Sequence, residues 1–84
     1  MEKRLVVQIH PFLMQQEIKV YEGKNEAKTF TSTLQELVHT IESVCDNYGI
    51  EDVVLSGMPA YTHRYANQIA SNKFSNKAIR ISVL

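Results

Sequence analysis

The stretch TLQELVHTIESVCDNYGIEDVVLSG, residues 33–57, decides the reading of this chain, because it passes from one clear periodicity into another. Thr33-Leu34-Gln35-Glu36 has the form of a capping box, in which the Thr33 hydroxyl accepts from the Glu36 N–H and the Glu36 side chain reaches back. Leu34, Leu37, Val38, Ile41, Val44, Cys45 and Tyr48 then recur at steps of three and four, which predicts a helix with one apolar stripe. Gly49 is suited to the left-handed residue that ends such a helix, and Ile50 to the hydrophobic contact that follows it. Val53-Val54-Leu55, bounded by Asp52 and Ser56-Gly57, is an unbroken apolar run and reads as a central strand covered on both faces.

Upstream, Leu5, Val7 and Ile9 alternate with Val6, Gln8 and His10, the period of a strand with one buried face, and Pro11 ends its ladder. Ile18 and Val20 alternate with Glu17, Lys19 and Tyr21 in a second strand. Glu22-Gly23-Lys24-Asn25 supplies turn chemistry before a third, Thr-rich strand from Ala27 to Thr31. Downstream, Pro59 fits the first turn of a second helix, with Tyr61, Tyr65 and Ile69 on its core face. Asn72 to Asn76 breaks that pattern, and Ile79, Ile81 and Val83 alternate in a last strand that runs from Ala78 to Leu84.

The order is therefore strand, strand, strand, helix, strand, helix, strand: an α/β chain forming one small domain with a mixed sheet of about five strands and two helices. Strand–helix–strand crossovers are right-handed, so the last two strands are expected to run parallel to their predecessors, with helices over one face. At 84 residues a second core is not expected, and a chain of this size buries only roughly 60% of its unfolded surface. Oligomerisation would relieve that thin margin.

Composition narrows the function classes. Nine Lys plus Arg balance nine Asp plus Glu, so the whole chain projects no net field toward nucleic acid or an anionic membrane. Gln8 and His10 cut the first apolar run short of a signal-peptide core, and a single cysteine fits a reducing compartment. The expectation is a cytoplasmic protein with no membrane association.

The element order resembles the ribonuclease H-like fold, which includes the Holliday-junction resolvases and the lobes of sugar kinases and actin. The resemblance covers nearly the whole chain and is one of order. Nucleases of that family hold divalent metal with an acid in the first strand, another at the end of the fourth and a third in a later helix. Here the first two places are occupied by Gln8 or His10 and by Ser56, and the chain shows no later helix. The resemblance thus implies the scaffold without the nuclease, since a two-metal mechanism needs clustered carboxylates.

No other catalytic set assembles. His10, His39 and His63 lie 29 and 24 positions apart, unlike the close pairs of zinc sites, and read as surface or structural residues. Cys45 sits on the helical stripe near a helix C-terminus, where the dipole opposes a thiolate. We therefore expect no enzyme, no metal and no cofactor.

Three surface readings remain. Pro11-Phe12-Leu13-Met14 places apolar residues where a polar hairpin turn is expected, so Phe12, Leu13 and Met14 either cover one end of the core or project as a protein interface. The second helix, with Tyr61 and Arg64, combines with Lys73, Lys77 and Arg80 as a possible nucleic-acid surface. The turn Ser56-Gly57-Met58-Pro59 joins a strand to a helix and is a possible contact for a phosphorylated ligand, although it lacks a Gly-rich phosphate motif. The leading expectation is a non-catalytic binding or assembly module that acts through protein–protein contacts and pairs with a second copy of itself as a dimer.

Overall fold

A computed structural model describes residues 2–71 and 79–84 of the chain. Its elements are β1 (Lys3–Ile9), β2 (Gln16–Glu22), β3 (Asn25–Ser32), α1 (Leu37–Tyr48), β4 (Asp52–Gly57), α2 (Pro59–Ser71) and β5 (Arg80–Val83). They form one mixed sheet in the order β3-β2-β1-β4-β5. The first three strands are an antiparallel meander, while β4 runs parallel to β1 and β5 parallel to β4, as the crossover rule requires. No helix among the described residues is long and apolar enough to cross a membrane.

The register explains which face is buried. Leu5 stands between Val20 and Val53, and Val7 between Ile18 and Leu55, so these side chains share one face by the two-residue alternation of strands. With Ile9 they meet Leu37, Ile41, Val44 and Cys45 of α1, Ile69 of α2 and Ile50 in one core, and both helices pack on that face. Ile50 and Gly49 close α1 as the sequence predicts. Gly49 adopts φ +66°, and the Ile50 N–H donates to the Cys45 carbonyl at 3.0 Å. Lys3 reaches from β1 to the last turn and donates from Nζ to the Tyr48 carbonyl at 3.1 Å, placing a cation at the helix's negative end.

Three local expectations are corrected. The helix starts at Leu37 instead of at Leu34, because residues 34–36 are spent on a turn. The Glu36 N–H does donate to Thr33 Oγ1 at 3.3 Å, but the Leu37 N–H reaches back only to Leu34, and the first helical bond is Thr40 to Glu36 at 2.8 Å. The β4 run is not covered on both faces: Val53 and Leu55 are buried, whereas Val54 lies half-buried beside Val6 on the face away from the helices. β-Branched residues can stand there because two neighbouring Val side chains shield one another. The third strand is longer than Ala27 to Thr31, extending from Asn25 to Ser32. The predicted break at Asn72 to Asn76 and the start of the last strand at Ala78 lie outside the described residues; the described part of that strand runs from Arg80 to Val83.

Candidate functional site

The C-terminal ends of β1, β4 and β5 lie at the same end of the sheet, since these strands are parallel and Ile9 pairs with Gly57. The loop of residues 10–15, the turn into α2 and Leu84 all emerge there. Among the described residues the exposed large hydrophobic side chains are Phe12 (90%), Leu13 (56%), Met14 (87%), Met58 (46%) and Leu84 (79%). All five belong to this one end. The alternative left open by the sequence is thereby resolved: Phe12, Leu13 and Met14 project into solvent and do not cover the core.

The projection is held from beneath. Gln16, the first residue of β2, is fully buried. Its Nε2 donates to the carbonyls of His10 (2.8 Å) and Leu13 (3.0 Å), and its Oε1 accepts from the His10 N–H. The Leu13 N–H closes a turn on the His10 carbonyl at 3.0 Å. A buried amide must satisfy its donors and acceptor, and here the loop backbone does so, which fixes the path of the loop that carries the apolar tip. The two-residue period of Ile18 and Val20, extended back, puts Gln16 and not Gln15 on the buried face, but its hydrogen-bond partners appear only in the tertiary structure.

The remaining predicted contacts fall into other roles. Gly57 has φ +132°, and a Cβ there would stand 2.3 Å from the Ile9 carbonyl oxygen, so its lack of a side chain serves the close approach of β4 to β1. Ser56 is half-buried, with its Oγ directed at the Val7 carbonyl at 3.5 Å. At the start of α2, Pro59 has no N–H, and those of Tyr61 and Thr62 both donate to the Met58 carbonyl at 3.0 Å. Of residues 59–62, that leaves the Ala60 N–H to meet an anion, far short of the several donors that cradle a phosphate.

The nucleic-acid set is divided. Lys73 and Lys77 lie outside the described residues. Arg80 forms a two-pronged pair with Asp52, Nε to Oδ1 at 2.6 Å and Nη2 to Oδ2 at 3.0 Å. That hydrogen bond, opposed by partial desolvation, lowers the Asp52 carboxyl below its ordinary range and raises Arg80. Arg64 lies 5.8 Å from the centre of the Tyr61 ring. Tyr61 and Tyr65 pack partly against the core, and Ile69 is buried, so this face of α2 serves the fold. Thr62, which sequence reasoning passed over, is buried on the same helix and donates to the Pro59 carbonyl at 3.2 Å.

The face of the sheet away from the helices carries Arg4, Val6, Gln8, Glu17, Lys19, Tyr21, Asp52, Val54 and Ser56. Its charges are matched locally. Lys19 lies 3.3 Å from Glu26 and 3.7 Å from Glu17, and the hydrogen bond to Glu26 raises its ammonium above the ordinary lysine value. Arg4 stacks on Tyr21 at 5.5 Å. The position expected for a nuclease acid holds Gln8, flanked by Glu17 and Ser56. No group of three or more His, Cys, Asp or Glu placed to hold a metal occurs among the described residues. His10 in the loop after β1, His39 on α1 and His63 on α2 are all exposed, and Cys45 is buried.

No protein-family model matches this chain, and no curated protein does. A solved structure that is similar is a Bacteroides thetaiotaomicron VPI-5482 protein described as having an actin-like ATPase fold and unknown function. It superposes with a TM-score of 0.73 at 10% sequence identity, over 99% of this chain and 32% of that one. The chain thus spans about a third of that protein, and the likeness is one of fold, in keeping with the ribonuclease H-like element order.

Proposed function

We propose that this chain is a binding or assembly module that acts by protein–protein contact and pairs with a second copy of itself through the apolar end. One observation carries the reading: the five large hydrophobic residues exposed among the described residues gather at the C-terminal end of the parallel strands, and three of them, Phe12, Leu13 and Met14, sit on a loop whose backbone Gln16 ties down. Scattered single hydrophobic residues are ordinary on a protein surface, but three consecutive ones on a fixed support, with two more at the same end of the sheet, have the composition of an interface core. Burial of Phe12 and Leu13 contributes about 1.5 to 3 kcal/mol each, large beside a stability of roughly 5 kcal/mol for so small a core. A fixed loop also lowers the ordering cost of association.

Light scattering across micromolar to millimolar concentration tests this. Phe12→Ser with Leu13→Ser is expected to abolish the dimer and leave the fold intact, since both side chains stand in solvent. A second route to a dimer is pairing of the β5 edge with its copy, and Ile81→Pro tests it. The Arg80 and Leu84 N–H groups donate to Glu51 and Leu55, so by alternation the Ile81 N–H points away from β4 and its loss spares the ladder. Dissociation by Ile81→Pro alone would move the interface to that edge. A fully folded monomer at every concentration would remove self-association.

A further inference from the structure

A second surface lies along β3, the antiparallel edge of the sheet, far in the strand order from β5. The Gly23 N–H donates to the Glu2 carbonyl, which fixes the ladder: on β2 residues 17, 19 and 21 turn their backbone to β1, and residues 16, 18 and 20 turn theirs to β3. Their partners Ser32, Phe30 and Lys28 therefore face β2, and Thr29 and Thr31 present N–H and C=O groups to the open edge. Beside this edge runs a groove of about 570 Å³, lined by Phe30 of β3 and by His39, Thr40, Ser43, Val44, Asn47 and Tyr48 of α1. Phe30 and Tyr48 meet edge to face at 5.8 Å, and the Lys28 ammonium lies over both rings, 5.7 and 5.9 Å from their centres.

The lining of this groove and its rim differ in charge. None of its lining residues is acidic, and Lys28 joins none of the ion pairs formed among the described residues. At 100° per residue, Glu42 falls on the flank of α1 opposite Thr40 and Asn47, while Asp46 stands on the solvent side of the helix, at the rim next to His39 and Ser43. Glu36 precedes the helix, at the end of the groove away from Tyr48. A strand edge beside a helix, with an unmatched cation at one end, is the arrangement that receives an extended chain by strand addition.

We infer that β3 and α1 form a binding site for an extended segment of another protein that adds to the Thr29–Thr31 edge, sets alternate apolar side chains in the groove and places a carboxylate beside Lys28. Main-chain hydrogen bonds to Thr29 and Thr31 supply sequence-independent affinity, and the groove and Lys28 supply selection. The segment runs antiparallel to β3, so the carboxylate lies near its C-terminal end, because β3 ascends from Lys28 toward Ser32.

The probe is an amidated heptapeptide that alternates Val and Thr and ends in Glu, titrated into the isotope-labelled full chain by NMR. Amide shifts at Thr29, Thr31, Ser43 and Asn47, with a dissociation constant in the range of about 10 µM to 1 mM, are expected. The same peptide ending in Lys is expected to bind about tenfold more weakly, and Lys28→Glu to invert that preference. Thr29→Pro removes an outward N–H, and Ser43→Glu, on an exposed helix position that tolerates the change, puts an acid in the groove; each is expected to weaken binding about tenfold or more. The inference is overturned by no binding of the Glu peptide at millimolar concentration, by equal binding of the two peptides, or by shifts centred on Phe12 to Met14. Concentration-dependent shifts at Thr29 and Thr31 without peptide would equally overturn it, by assigning the edge to a second copy of the chain.

Discussion

Gln16 and His10 are joined by hydrogen bonds running in opposite directions: the His10 N–H donates to Gln16 Oε1, and Gln16 Nε2 donates to the His10 carbonyl at 2.8 Å. The side chain thus imitates a strand partner for a residue that Pro11 has removed from the ladder. Its second donation, to Leu13, extends that support to the apolar tip.

Replacement Gln16→Leu keeps the buried volume but strands the polar groups of His10 and Leu13. Unsatisfied buried groups of this kind cost about 2 to 3 kcal/mol together once partial rehydration is allowed for. Urea denaturation is expected to show that loss, with hydrogen exchange at Leu13 and Met14 accelerated beyond the global change. Unchanged exchange at the tip would mean that the loop holds itself.

Gly57→Ala is expected to destabilise by about 3 kcal/mol, because the new Cβ would meet the Ile9 carbonyl and the backbone stands at φ +132°. Gly23→Ala provides the contrast. It shares a positive φ, +63°, but nothing lies within 4 Å of its Cβ, so the cost falls to about 1 kcal/mol. Equal midpoints for the two variants in urea would show that β1 and β4 separate easily.

The Asp52–Arg80 pair sets a pH dependence. Because the Arg80 hydrogen bond lowers the folded carboxyl, the pair's contribution is present above the ordinary carboxylate range and is lost as pH falls through the depressed value. Arg80→Met is expected to return Asp52 upward toward that range in an NMR titration. Both groups are exposed, so the accompanying change in stability is small and is confined to pH above that transition.

Cys45 is 1% exposed on the core side of α1, beside Ile41 and Val44. Thiol reagents must await opening of the helix, so labelling is expected about a hundredfold or more slower than in the urea-unfolded chain. Rapid labelling of the native protein would put the stripe out of phase with the sheet.

The strand alternation at Leu5, Val7 and Ile9, the stripe from Leu37 to Cys45 and the stop at Gly49-Ile50 were all legible in the sequence, because periodicity is a local property and each segment carries its own. The sequence therefore determined the element order and the parallel sense of β4 and β5. It did not reveal that Val54 faces away from the helices, since an unbroken apolar run has no phase. Nor did it show what the buried Gln16 amide would bond, or separate Gly57 as a packing contact from Gly57 as a ligand contact, because these depend on the path of the 10–15 loop and on Ile9, 48 residues before Gly57. Phe12, Met58 and Leu84 come to one end of the sheet only when parallel pairing brings the ends of β1, β4 and β5 together. The edge groups of Thr29 and Thr31 likewise follow from a single bond between Gly23 and Glu2, two strands away from them. What each segment forms was written in its own side chains; which surfaces the molecule offers was decided by strand register and order, which exist only once the chain has closed on itself.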